Sequence, residues 1–309
     1  MFRIRRFEEE IVELYKSGKM VGLAHLYIGE EAIAVGVCAA LGSEDKIGST
    51  HRGHGHMLAR GAEMNRMMSE MLGKETGYNK GHGGSMHIMD RSLGILGANG
   101  IVGGGIPIAT GAAMAMKYMK TKNVAVSFIG DSATNEGTFH ESLNMAAIWN
   151  LPCVYVVENN LYGMYTDIRD TCKTTDIAVR AKAYDIPGVI VDGNDVIAVY
   201  EAAVEAVNRA RDGKGPTLIE CKTYRHTGHH VADPGLYRCR RNPNEKEEWV
   251  ERCPIKKMKE ELLKSKAVEE EEIINIENEV TEELTKAIKF AEESEYPNPT
   301  DAYLHVFSD

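Results

Sequence analysis

The stretch from Val124 to Tyr162 most constrains what this chain can fold into. Val124-Ala125-Val126-Ser127-Phe128-Ile129 is an apolar run of strand type that breaks at Gly130-Asp131-Ser132. Polar Thr134-Asn135-Glu136 suit a helix start, and Phe139, Leu143 and Ala146 recur at helical spacing as far as Trp149. A second β-rich run, Cys153 to Val157, ends in Glu158-Asn159-Asn160. Such a strand–helix–strand crossover places Asp131 and Asn160 at the carboxyl ends of neighbouring parallel strands. In open α/β sheets that edge is the ligand crevice. A carboxylate and a carboxamide meeting there, beside a helix N-terminus, suit a hard cation that holds a phosphate. From the residues alone, a plain strand-capping role for both remains the alternative.

A chain of 309 residues can bury one large α/β core or two small ones. Lys and Arg number 36 against 46 Asp and Glu, a net charge of −10, which argues against nucleic acid as a main partner. No apolar run approaches the roughly 18 residues of a membrane helix, and no secretory signal precedes the first charged helix. The six cysteines form no Cys-x-x-Cys pair, and Cys153 and Cys221 fall inside strand-like runs. They fit buried thiols in a reducing cytoplasm.

Taken in order, residues 3–18 form an amphipathic helix with Ile4, Phe7, Ile11 and Leu14 on one stripe. A loop containing His25 leads to Gly29-Glu30-Glu31, where acids suit the start of a second helix that runs to about Leu41. Ser49 to His56 holds His51, Arg52, His54 and His56 between glycines. Without Cys or Asp nearby this gives no tetrahedral zinc set. A Gly-spaced loop displaying one Arg and several imidazoles suits an anion and a reacting carbonyl. A helix rich in Met (Met57, Met64, Met67, Met68, Met71) fits core packing. Gly81–Gly84 and Gly94–Gly105 are glycine-dense, but neither is a dinucleotide fingerprint and no P-loop exists. Thr110–Met119 is a small-residue helix. The polar stretch 162–176 is expected as a mobile loop, Val189–Val191 as a short strand, Val196–Arg211 as a helix and Thr217–Tyr224 as a strand. Arg225 to His230 then lies on the same sheet edge as Asp131 and Asn160. Arg238, Arg240 and Arg241 form a basic cluster. Charged helices at about 255–264 and 269–291 close the chain, which divides into an α/β domain over 1–250 and a helical extension over 251–309. His140-Glu141 would begin a zinc hydrolase motif, but Asn144 stands where its second His belongs.

Gly130-Asp131 followed 29 residues later by Asn160 resembles the thiamine diphosphate fingerprint. With the other loops in place, nearly the whole chain resembles the alpha subunit of the first component of acetoin and 2-oxo acid dehydrogenase complexes. The resemblance implies a thiamine diphosphate-binding α/β fold, with a mostly parallel sheet flanked by helices. It implies magnesium held by Asp131, Asn160 and the carbonyl of Tyr162, and diphosphate held by Arg52, Arg225 and the turn at Ser132 and Ala133. Ser132 departs from the family's usual second glycine. His51 stands where the family often has Tyr, Gly100 and Val102 match the segment holding the aminopyrimidine, and His25 matches a substrate-contacting residue. The proton-transfer roles fall to His229 and His54.

Ala24-His25-Leu26-Tyr27 and Gly97 to Gly105 resemble the acetoin branch more than the pyruvate branch. The implied reaction cleaves acetoin, leaving a hydroxyethyl adduct that passes as acetyl to a lipoyl acceptor. Oxidative decarboxylation of pyruvate or another 2-oxo acid is the alternative, and a non-catalytic structural subunit, with Ser132 as its support, a further one. The implied partners are a beta subunit, in an α2β2 tetramer, and a lipoyl-bearing acyltransferase. As a basic patch beside the site loop of an otherwise acidic chain, Arg238, Arg240 and Arg241 are expected to dock the lipoyl domain. His230 occupies the place of a regulatory Ser in mitochondrial relatives, so kinase control at this position is not expected. The implied compartment is cytoplasmic.

Overall fold

Six parallel strands carry the molecule, and the computed structural model describes residues 1–20 and 22–304. In chain order the strands are β1 (Lys46–Gly48), β2 (Ile95–Gly97), β3 (Ala125–Gly130), β4 (Cys153–Asn159), β5 (Tyr162–Gly163), β6 (Thr166–Asp167), β7 (Gly188–Asp192) and β8 (Thr217–Lys222). The main sheet runs β2-β1-β3-β4-β8-β7, and β5 with β6 makes a separate antiparallel hairpin. β3 pairs with β4 from Ala125 opposite Cys153 to Gly130 opposite Glu158, and Asn159 of β4 lies opposite Lys222 of β8. Asp131, Asn160 and Thr223 therefore leave the sheet side by side.

The apolar runs are continuous because both faces of the sheet are covered. Along β3 and β4, Val126, Phe128, Val154 and Val156 enter one core cluster, and Ala125, Ile129, Tyr155 and Val157 the opposite one. This alternation is the two-residue period of a strand. The five methionines of the Met-rich segment are all buried in the first cluster. Helix Glu270–Glu293 packs against helices Phe2–Lys16 and Met64–Met71, and its Leu284, Ala287 and Ala291 join that same cluster. Its face on the body is therefore part of the main core. Among the described residues no helix is long and apolar enough to cross a membrane.

Two local expectations are corrected. The helix expected from Thr110 begins at Gly105, because Pro107 falls in its first turn, where no backbone N–H is needed. Residues 162–176, expected as loop, carry the β5–β6 hairpin and a helical turn, Ile168–Thr171. That turn is capped by the Asp167 side chain, which accepts from Arg169 N.

The glycine-dense stretch 79–84 is gathered by one buried carboxylate. Glu70 accepts from the backbone N–H groups of Asn79 (2.7 Å), Gly81 (3.0 Å), Gly83 (2.7 Å) and Gly84 (2.9 Å). Glu70→Ala leaves these donors unpaired and is expected to lower stability by about 3 kcal/mol, read from the urea midpoint. A loss under about 0.5 kcal/mol would show that the loop is held by something else.

Candidate active site

A cavity of about 440 Å³ opens at the carboxyl edge of the sheet. β3 delivers Asp131, Ser132 and Ala133, and β4 delivers Glu158 and Asn160. The loop after β1 brings Ser49, Thr50, His51 and Arg52, the loop after β2 brings Gly100 and Val102, and His25 and His229 close the wall. Arg225 sits beneath, 1% exposed, and donates to the carbonyls of Tyr162 and Met164, each at 3.2 Å.

Three oxygen donors of different kinds meet this cavity. Asp131 is 2% exposed, and burial pushes its carboxyl up to about 6 although Arg225 pulls the other way. Asn160 donates its Nδ2 to Glu30 Oε1 at 2.9 Å, so its Oδ1 is the atom left on the other side, accepting weakly from Tyr162 N at 3.3 Å. The Tyr162 carbonyl has a lone pair beyond the one that receives Arg225. Carboxylate, carboxamide and carbonyl are hard oxygen donors of the kind magnesium takes. Ser132 donates to Asp131 Oδ2 at 3.2 Å and fits because residue 163 is glycine: a Cβ there would stand 1.7 Å from Ser132 Oγ. The serine and Gly163 compensate each other.

Two guanidiniums face this oxygen set. Arg52, 4% exposed, donates to Leu26 O at 2.6 Å and to His229 O at 3.3 Å, with Glu30 Oε2 at 3.5 Å from its Nε. Burial, then repulsion from Arg52, brings Arg225 down to about 10, and its Nε is buried without a hydrogen-bond partner. Burial also raises Glu30 to about 7 against the pull of Arg52. Buried cations with an unused donor, beside a carboxylate driven towards protonation, match a polyanion bridged to a divalent cation. The residues fit a metal diphosphate.

His25, His51 and His229 form one cluster, with ring centroids 4.6, 4.8 and 5.4 Å apart. Burial first, and Arg52 second, lowers all three: His25 to about 2, His51 to about 3, and His229 far below the ordinary imidazole range. They are neutral at physiological pH. Their nitrogens lie within 4.8 Å of one another, near enough for a metal ion. However, Arg225 donates to His229 Nδ1 at 2.8 Å, which puts the imidazole proton on Nε2, and two guanidiniums flank the group. The arrangement is suited to donating N–H bonds to a carbonyl or a developing alkoxide.

Of the residues expected here, His54 is not brought in. It opens the helix His54–Ala59, is fully buried edge-on to Phe7, and its Nδ1 lies 2.9 Å from Glu8 Oε2. The expectation of an open loop failed because that helix starts here. Gly55 permits it, since a Cβ there would meet the Tyr27 ring at 2.3 Å. The basic cluster is corrected as well. Arg238 is 3% exposed and donates to the carbonyls of Arg225 and Thr227, and Arg241 pairs with Asp167 and Asp170, leaving Arg240 exposed. Sequence reasoning missed Glu30, read as a helix-start acid, and Glu158, read as a strand end. Only their positions beside Gly29 and Asn159 could have marked them.

A sheet whose carboxyl edge joins an oxygen set, two buried guanidiniums and an imidazole cluster has the parts that a phosphate-bearing cofactor takes. The chain belongs to the dehydrogenase E1 component family, whose model matches residues 1–300. It is 50% identical over 307 residues to the alpha subunit of acetoin:2,6-dichlorophenolindophenol oxidoreductase of Bacillus subtilis, covering 99% of this chain and 91% of that one. The protein of the same description from Cupriavidus necator is 43% identical, with 99% and 92% covered. The pyruvate dehydrogenase E1 component subunit alpha of Porphyra purpurea is 42% identical, with 99% and 90% covered.

Proposed function

We propose that this chain is the alpha subunit of a thiamine diphosphate- and magnesium-dependent enzyme that cleaves acetoin and passes an acetyl group to a lipoyl acceptor. The observation that carries the reading is the convergence of Asp131, Asn160 and the Tyr162 carbonyl with Arg52 and Arg225 in one cavity. Asp131, Asn160 and Tyr162 would hold the metal, and Arg52, Arg225 and the turn at Ser132 and Ala133 the diphosphate. Thiamine diphosphate, when bound, supplies an electron sink for breaking a bond beside a carbonyl. The protein's share is positioning and charge. The guanidiniums would neutralise the anion, Gly100 and Val102 would present backbone to the cofactor, and His25, His51 and His229 would offer N–H groups to substrate oxygen. The acyl acceptor and the beta subunit are external partners. An exposed apolar face fits the latter: Ile108, Met114 and Tyr118 on helix Gly105–Tyr118, beside Met145 and Ile148 on the next helix.

Acetoin is favoured over pyruvate because the relatives described as acetoin oxidoreductases reach 50% and 43% identity, against 42% for the pyruvate relative named above. The test reconstitutes the chain with its beta subunit and measures reduction of 2,6-dichlorophenolindophenol. The expected kcat/KM is at least about 10-fold higher with acetoin than with pyruvate, a difference of about 1.4 kcal/mol. The reverse ratio would establish the 2-oxo acid reading, and turnover of neither would defeat both.

A further inference from the structure

A buried polar chain that the proposed chemistry has not used passes behind the cavity wall from Ser49 to Glu158, both of which line the cavity. Ser49 lines the cavity, and its Oγ lies 2.8 Å from Nδ1 of His56. Across the ring, His56 Nε2 is 3.0 Å from Oε1 of Glu158, to which the Tyr27 hydroxyl also donates. His56 and Tyr27 are fully buried, and Ser49 and Glu158 nearly so. Phe128 stacks on the imidazole at 3.8 Å and Tyr27 meets it edge-on at 5.1 Å, so the ring is held in one orientation. The carboxylate settles the tautomer: Nε2–H donates to Glu158, and Nδ1 accepts from the Ser49 hydroxyl.

Hydroxyl, imidazole and carboxylate in series let a buried imidazole act as a base through the hydroxyl. The surroundings separate His56 from the imidazoles in the cavity. In the cavity cluster the Nδ1 of His229 faces the Arg225 guanidinium at 2.8 Å. His56 is bonded to a carboxylate instead. The other titratable groups near that carboxylate are Glu30, Cys38, Cys221 and Tyr27, all acids whose charged forms burial disfavours.

We propose that Ser49, His56 and Glu158 form a proton relay serving the cavity. The proposal rests on the thiamine-dependent reading, in which a substrate-derived hydroxyl must lose its proton before the adjacent C–C bond breaks. That proton moves to Ser49 Oγ as the serine's own proton moves to His56 Nδ1. One O–H bond of the substrate and one of the serine break, and one O–H and one N–H bond form. The substrate oxygen gains the negative charge, and the imidazolium rests against the Glu158 carboxylate. The reverse sequence returns the proton. Ser49 is the catalytic end of the relay, and His56 and Glu158 are positioning residues that act through it.

Ser49→Ala and Glu158→Gln change little volume and test it in the complex with the beta subunit. Each is expected to lower kcat about 100-fold, within the usual range for general acid–base catalysis, with KM unchanged and with the solvent isotope effect on kcat altered. Unchanged kcat in Ser49→Ala, or a fall that follows KM alone, would overturn the relay. A second readout needs no turnover. Proton NMR of the full chain with 15N-labelled histidine should show one strongly deshielded Nε2–H from His56, lost in Glu158→Gln, and a shifted Nδ1 in Ser49→Ala. Absence of that resonance in the wild type would overturn the hydrogen-bonded chain itself. An inactive wild-type complex showing the resonance would instead count against the proposed function.

Discussion

Asp131→Asn is expected to abolish the response to magnesium and thiamine diphosphate while leaving the chain folded. Burial raises this carboxyl from 3.8 to about 6 in the folded protein. A group with a raised folded-state pKa contributes its stability in the protonated form. That contribution is complete below about 3.8 and is lost as pH rises through about 6. Above that, the ligand-free protein carries a charged buried carboxylate at a cost of about 3 kcal/mol, from roughly two pKa units at 1.36 kcal/mol each. Asparagine has the same shape and no charge. The ligand-free variant should therefore melt at or above the wild type at pH 7.5. Magnesium with thiamine diphosphate should raise the wild-type Tm, by about 2.7 kcal/mol of stabilisation at 100 times Kd, and leave the variant unmoved. Calorimetric titration showing the same cofactor affinity in a folded variant would remove Asp131 from the metal site.

The second large effect concerns completeness. Purified alone, the chain is expected to bind thiamine diphosphate weakly and to turn over neither acetoin nor pyruvate. Adding the beta subunit should restore both. The physical reason lies in the carboxylates at the cavity. Thiamine diphosphate would need a free carboxylate to activate it, yet Asp131 is engaged with Ser132, Glu30 with Asn160 and Arg52, and Glu158 with Tyr27 and His56. Ile101 and Val102, beside the cavity, are 72% and 52% exposed, an arrangement suited to a covering protein surface. Isothermal titration with and without the beta chain should show cofactor binding tighten by about 100-fold, or about 2.7 kcal/mol. Full turnover by a preparation that mass spectrometry shows to hold a single polypeptide would contradict this.

What the sequence determined by itself was the pairing of Asp131 with Asn160, and the placing of Arg225 and His229 on the same edge. Both follow from strand–helix–strand periodicity, which is local: an apolar run, a helical repeat and a second run leave parallel strands little choice of neighbour. The helix Val196–Arg211 was legible for the same reason, and its ends agree with those expected. Packing decided the rest. One turn of helix after Gly53 separates His51, in the cavity, from His54 and His56, which are carried onto Glu8 and Glu158, 46 and 102 residues away. No periodicity in the sequence links those positions. Arg238 looked like surface charge because a basic cluster usually is, and the fold instead spends its donors on two carbonyls of the loop that carries Arg225 and His229. Ser132 departs from the glycine expected in the turn, and the room for it comes from Gly163, a residue 31 positions on. Local periodicity places residues on an edge, but which side chains reach the cavity depends on contacts between distant segments, and only the tertiary structure supplies those.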